Sequence, residues 1–208
     1  MARSDVQLML DVKAGDEASF DFLLQKYRTP LVNFLFRMVR DQATAEDLAQ
    51  EVFFRVYRAR KQYSPSAKFT TWMFRIATNL ALNSVRDNRY RKMETSIDAP
   101  QSNEEEKVTR DLPAREMRID EHLVEQARVD MIRRAVESLP EKQRVAVLLH
   151  KYEEMDYSEI ARVLECSESA LKSLLFRAYE TLRVELAPMV GPMAGKGMPH
   201  RAGEGRQS

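Results

Sequence analysis

The chain has 208 residues, 33 Lys+Arg against 32 Asp+Glu (net +1), and a 44% hydrophobic composition. That length accommodates one large domain or two small ones, and the apolar content is too high for a disordered chain. No uncharged apolar run approaches the roughly 20 residues of a membrane-spanning helix. Asp5 and Asp11 break the N-terminal stretch before it can serve as a secretory signal. The single Cys166 excludes an internal disulfide framework and a cysteine-rich zinc site, and suits a reducing, cytoplasmic setting.

Neutrality of the whole conceals segregation along the chain. Residues 61–92 contain Lys61, Lys68, Arg75, Arg86, Arg89, Arg91 and Lys92 against Asp87 alone. The next stretch, 93–130, is acidic in excess and includes the run Glu104–Glu106. Opposite charge blocks of this kind imply different partners for neighbouring segments.

Apolar periodicity and scarce glycine predict an all-α protein: two small helical domains joined by an acidic flexible linker, the second ending in a helix-turn-helix. The first long helix follows Asp16 as N-cap and buries Phe20, Leu23, Leu24, Tyr27, Leu31, Phe34, Leu35 and Met38. Thr44 with Asp47 reads as a capping box opening a second helix to about Arg58. Ser64-Pro65-Ser66 breaks the pattern, and a third helix runs from Thr70 or Thr71 to about Arg89. These elements form a domain over 1–93. Residues 94–118 read as the linker. A fourth helix buries Leu123, Ala127, Met131, Ile132, Ala135, Val136 and Leu139 and stops before Pro140; a fifth spans Pro140 to about Tyr152. Asp156 with Glu159 caps a sixth helix to Leu164, and Ser167 caps a seventh to about Leu186, completing a domain over 119–187. The Gly/Pro-rich end, 188–208, reads as a disordered tail.

Enzymatic chemistry has no support in the motifs. There is no phosphate-binding glycine loop, dinucleotide fingerprint or nucleophile elbow. None of His122, His150 and His200 has Glu three residues before it, as a di-iron bundle requires. Glu46, Asp47 and Glu51 crowd one helix, where they read as a solvated or partner-facing acidic face rather than a metal site. The chain is therefore expected to use no cofactor and no metal.

Two constellations point to nucleic acid. In Asp156–Arg183 a short helix with Ile160, Ala161 and Leu164 inward is followed by Glu165-Cys166-Ser167 and a second helix with Leu171, Leu174, Leu175, Ala178 and Leu182 inward. This is a helix-turn-helix, and Ser169, Lys172, Ser173 and Arg177 fall on the outward face that can enter a major groove. Lys172 can reach guanine O6 and N7, Arg177 a base edge or phosphate, and the serines phosphate oxygens. An ordinary helical hairpin shares the pattern, and Glu165 stands where such turns commonly have glycine, so mild strain is expected there. In Lys61–Lys92, Arg75, Asn79, Asn83, Arg86 and Tyr90 share one helix face, a basic, amide-bearing ridge. Ahead of it, Tyr63, Lys68, Phe69 and Trp72 interleave rings with positive charge, a composition that holds unstacked single-stranded bases. Phe69 and Trp72 fit core positions equally well.

Taken together, the acidic segment Asp47-Leu48-Ala49-Gln50-Glu51-Val52-Phe53, the run Phe69–Asn79, Glu137-Ser138-Leu139-Pro140 and the helix-turn-helix resemble, in order and spacing, the extracytoplasmic-function (ECF) sigma factors of bacterial RNA polymerase. The resemblance spans about residues 5–187. It implies that Asp47, Gln50, Glu51, Phe53 and Phe54 dock on the clamp helices of the polymerase β′ subunit. The Tyr63–Phe69 loop, with Lys68, and Asn79 would capture a flipped non-template base of the minus-ten element, beside Trp72. Arg75, Asn83 and Arg86 would belong to the promoter-reading helix. Ser169, Lys172, Ser173, Phe176 and Arg177 would read the minus-thirty-five element, with the β flap as a further polymerase partner. The linker resembles a segment threaded toward the polymerase active-site cleft. An anti-sigma factor and a stress or envelope-response regulon are implied as well. Two other readings stay open on the residues alone: a helix-turn-helix regulator that binds DNA without polymerase, and a helical adaptor docking through Asp47–Phe54.

Overall fold

Side-chain caps set most of the helix starts in the computed structural model, which describes residues 3–95 and 119–190. The Ser4 hydroxyl accepts from Gln7 N and opens α1 (Asp5–Ala14), and Asp16 accepts from Ala18 N to open α2 (Glu17–Val39). Between them Gly15 takes φ 106°, a left-handed C-cap that costs glycine little. Three more helices complete the frame on either side of the undescribed middle: α3 (Gln42–Arg58), α4 (Phe69–Thr95) and α5 (Ile119–Ser138). Beyond Pro140 come α6 (Glu141–Tyr152), α7 (Tyr157–Val163), α8 (Glu168–Glu185) and α9 (Ala187–Val190). Among the described residues every regular element is helical, and no helix is long and apolar enough to cross a membrane.

Helices α1–α4 enclose a core rich in rings. Phe34 and Phe74 meet edge to face at 5.3 Å between centroids, and Tyr27 packs on Phe69 at 5.5 Å. Leu23, Leu31, Leu35, Met9 and Met73 fill the space between, all buried. The core of α5–α8 is aliphatic, built on Leu148, Leu149, Ile160, Leu171 and Leu175. Each such side chain contributes about 1.5–3 kcal/mol of hydrophobic free energy when fully buried.

Several sequence expectations shift. Helix α1 is not evident in the apolar pattern, because its ten residues bury only Leu8, Met9 and Val12. It is fixed instead by tertiary contact: Lys26 pairs with Asp5 at 2.6 Å, and the Tyr27 hydroxyl donates to the same carboxylate. Helix α3 begins one turn earlier than Thr44, because Asp41 accepts from Thr44 N and is itself the cap. Helix α4 continues past Arg89 to Thr95, into the stretch read as linker. Residues 188–190, read as the start of a disordered tail, form part of α9; Pro188 stands in its first turn, where its missing N–H costs nothing. The rest of the linker and tail lie outside the described residues. The caps at Asp16, Asp156 and Ser167 stand as expected, Asp156 with Glu159 forming a full capping box.

Candidate functional site

Three surfaces gather the sequence-predicted residues. The first is a groove of about 450 Å³ between α2 and α3, with Phe20, Leu24, Gln50, Phe53, Phe54 and Tyr57 in its walls. Phe53 is buried and meets Phe20 edge to face at 6.4 Å, so it serves as floor. Phe54 is 58% exposed, beside exposed Asp47 and Gln50. Glu51 is half-buried and pairs with Arg55 at 2.6 Å. Apolar wall and acidic rim together suit a helix that offers both apolar and basic side chains.

The second surface centres on the Tyr63–Ala67 loop and the first turns of α4. A cavity of about 520 Å³ opens there, lined by Tyr63, Ser64, Thr71, Trp72, Arg75 and, from α7, Arg162 among others. Trp72 is half-buried, its ring 5.2 Å from Tyr63 and 6.3 Å from Phe69. Phe69 is only 1% exposed and takes no part in the cavity wall. Its assignment as a base contact is therefore corrected: it is a core ring that braces Trp72. Tyr63 is buried too, so any contact it makes is through the cavity wall. Its carbonyl accepts from Lys13 Nζ at 2.8 Å, while burial pushes its hydroxyl pKa above the ordinary value. Along α4 the ridge is as periodicity predicted, with Arg75, Asn79, Asn83, Arg86 and Tyr90 all exposed.

The third surface is the helix-turn-helix of α7 and α8. Glu165 takes φ 53°, so the left-handed conformation expected of a glycine is imposed on a residue with a Cβ. Ser167 caps α8 through Ala170 N. Leu171, Leu175, Ala178 and Leu182 are buried and Leu174 is half-buried. Ser169, Lys172, Ser173, Phe176 and Arg177 all face solvent, Phe176 at 67% exposure. The Ser173 hydroxyl donates to Ser169 O at 3.1 Å, which leaves it acceptor capacity but not a free donor in this rotamer.

The sequence did not anticipate how these surfaces meet. Lys68 Nζ lies 3.1 Å from Glu159 Oε1, and the Thr71 hydroxyl donates to the same oxygen at 3.2 Å. Arg75 pairs with Glu165 at 3.3 Å, and Arg162 donates to Ser66 O at 3.4 Å. Farther off, Arg37 covers the Tyr152 ring at 4.1 Å, and Arg40 Nε stands 2.7 Å from Glu137 Oε1, off the axis of a hydrogen bond. Nothing in the pattern marks these residues, since the outward face of a short amphipathic helix looks the same whether it meets water or a neighbour.

Comparison with known proteins matches these surfaces to two family models. The model described as Sigma-70 region 2 covers residues 23–91, and that described as Sigma-70, region 4, covers 130–182. The RNA polymerase sigma-H factor of Pseudomonas aeruginosa is 32% identical over 190 residues, spanning 89% of this chain and 95% of that protein. The ECF RNA polymerase sigma-E factor of Escherichia coli K12 is 30% identical over 189 residues, spanning 90% and 96%. Two solved structures share the fold at 20% identity. CnrH in complex with the cytosolic domain of CnrY aligns with a TM-score of 0.65 over 89% of this chain and 99% of that one. The sigma factor RpoE in complex with the anti-sigma factor NepR, from Bartonella quintana, aligns at 0.60 over 81% and 96%.

Proposed function

The chain belongs to the ECF RNA polymerase sigma factors and directs promoter-specific transcription initiation, and from that premise we propose how its surfaces divide the work. The groove carrying Asp47, Gln50, Glu51, Phe53 and Phe54 takes the clamp helices of β′. The cavity beside Trp72, with Lys68 at its approach, holds a flipped base of the minus-ten element. Asn79 joins in that base capture, and Arg75, Asn83 and Arg86 make α4 the promoter-reading helix. The outward face of α8 reads the minus-thirty-five duplex while the domain rests on the β flap. Phosphodiester chemistry belongs to the polymerase, which places the protein in the cytoplasm with its partner.

The observation that carries this reading is the exposed row Ser169, Lys172, Ser173, Phe176 and Arg177 on the second helix of a helix-turn-helix. Arg and Lys offer hydrogen-bond donors to guanine edges, and Phe176 an apolar surface for a thymine methyl. The helix-turn-helix domain is close to neutral, so it releases few counterions and does not hold DNA firmly by itself. Tethering both domains to one polymerase raises the effective concentration of each contact for the other. The domain boundaries 1–93 and 119–187 and a threaded role for 94–118 complete the proposal.

A protein inhibitor of the anti-sigma type belongs among the partners, as in the Bartonella complex, and a stress or envelope-response regulon fits the relatives named sigma-E. The test is to add the protein to core polymerase with a promoter library. Specific initiation should appear only with both present. Nanomolar, sequence-specific duplex binding by the protein alone would contradict the division of labour.

A further inference from the structure

Where α2 meets α5 and α6 the protein has a cleft of about 340 Å³, apart from the three surfaces that gather the promoter and polymerase residues. That volume lies within the range of small-ligand sites. Val136 and Leu148 are buried in its lining. Phe36, Val129, Ile132 and Tyr152 line it too, yet each is more than a third exposed. Scattered exposed apolar side chains are ordinary, whereas four around one concavity leave room for apolar matter.

Three guanidinium groups, those of Arg37, Arg40 and Arg133, share the same walls. Carboxylates offset them only in part. Glu137 stands 2.7 Å from Arg40 and 3.9 Å from Arg133, which also pairs with Asp130 at 2.8 Å. Glu153 interacts with Arg37, but burial raises its pKa to about 7, so at neutral pH it carries only part of a charge. The Arg37 guanidinium lies over the Tyr152 ring at 4.1 Å, which leaves its in-plane N–H groups for another acceptor.

Arg40 is the least settled of the three. Its backbone holds φ 64° as the C-cap of α2, and its Nε is sealed from solvent with no hydrogen-bond acceptor among the described residues. Burial works most strongly against its charge; Glu137 opposes this, and Arg133, Arg144 and Arg37 add to it. A strained backbone and an unmatched buried donor at one residue are features of a ligand clamp.

We propose that this cleft binds a single-chain organic acid of the fatty-acid class, its carboxylate taken by Arg40 and Arg37 and its chain laid over Val136 and Leu148. Arginine presents a fork of donors that matches a carboxylate. A nucleotide suits the cleft less well, because Asn33 and the Tyr152 hydroxyl are the only neutral polar side-chain groups in the lining. Both domains contribute walls, so the acid binds only where α2 lies against α5 and α6, and binding stabilises that arrangement by mass action.

The test is calorimetric titration of the full chain with decanoate, kept below its micellar concentration. One decanoate should bind per chain, saturably, and 1-decanol about tenfold more weakly, since the charged hydrogen bonds are lost. Arg40→Asn removes the charge while tolerating the left-handed backbone, and should weaken decanoate about tenfold. Ile132→Glu places a carboxylate on a part-exposed apolar wall without opening the core, and should abolish binding with helical circular dichroism retained. Phe54→Glu, in the separate α2–α3 groove, should leave decanoate affinity unchanged. Absence of saturable binding overturns the proposal, as does decanol binding as tightly as decanoate. Equal competition by inorganic phosphate would mean a simple anion site and overturns it too. Loss of binding in Phe54→Glu, or full binding in both Arg40→Asn and Ile132→Glu, would place the acid elsewhere. Flotation with phosphatidylglycerol vesicles in place of saturable decanoate binding would make the cleft a membrane contact and likewise overturn it.

Discussion

The two surfaces read as DNA-binding differ in how they are held. The face of α8 is a platform: its outward side chains meet solvent, and everything that positions them lies beneath, in Leu171, Leu175, Ala178 and Ile160. The ridge of α4 is engaged: Arg75 and Arg86, with Lys68 just ahead of the helix, already have acidic neighbours. A platform depends on its core and is indifferent to salt, whereas an engaged ridge depends on what it must first release. Substitutions beneath α8 should therefore cost stability, and substitutions between the domains should alter availability.

The largest effect should come from beneath the platform. Leu171 is fully buried on α8, a helix that packs on α6 and α7, and Leu171→Ala should destabilise the protein by about 2–5 kcal/mol through lost transfer energy and the cavity left behind. Thermal unfolding would show a lower midpoint for the C-terminal helices. A loss under 1 kcal/mol would mean that the helix-turn-helix does not rest on this core. On the platform itself, Lys172→Ala should cost about 1–3 kcal/mol of discrimination at promoters that need the upstream element, with stability untouched. Transcription from such promoters by the reconstituted holoenzyme measures this. Unchanged output would move the reading face away from Lys172.

The contrast between platform and ridge also explains what the sequence could reveal. Periodicity located α2 and α8 well, because in both the buried stripe repeats over many turns, as in Leu23, Tyr27, Leu31, Phe34 and Leu35. Local capping chemistry was legible at Asp16, Asp156 and Ser167 for the same reason that it works: donor and acceptor lie within three residues. It misled at Thr44, where Asp41 competes for the cap and wins because its carboxylate is the stronger acceptor. Phe69 was ambiguous in sequence, since a ring beside basic residues suits a base stack and a core alike; only Tyr27, twenty-two residues from Asp5 in sequence but beside it in space, decides the matter. The pairs Lys68–Glu159 and Arg75–Glu165 were illegible, since each joins segments about ninety residues apart and either partner alone is an ordinary surface charge.

A pH experiment probes the contact between α2 and α6. Glu153, at the end of α6, is held near a carboxyl pKa of about 7, chiefly by desolvation, with Arg37 opposing the shift. An acid raised in the folded state is favoured protonated there. It therefore leaves stability undiminished below its unfolded pKa and lowers it as pH rises through about 7. Glu153→Gln should raise stability by about 1–2 kcal/mol at pH 8, after allowance for solvent screening, and by nothing near pH 4. A gain independent of pH would place its origin in packing instead.

The smallest expected effect is the most diagnostic. Glu165→Gly relieves a left-handed backbone at φ 53°, and the relief exceeds the extra chain entropy that glycine brings to the unfolded state by about 0.5–1 kcal/mol. The same change deletes the exposed pair with Arg75, worth well under 1 kcal/mol, so the net should still be stabilising. Stability and the contact between domains should thus move in opposite directions: the variant melts at a higher temperature in thermal unfolding, yet holds its two domains together less firmly. Most substitutions that weaken an interface also weaken the fold, and the two are hard to separate. Here the strained residue and the bridging residue are one, so a glycine that stabilises the turn while freeing the ridge would identify the strain as the cost of the contact. A variant that melts lower would show that the pair with Arg75 outweighs the backbone, and that the contact between domains is held more firmly than its exposed geometry implies.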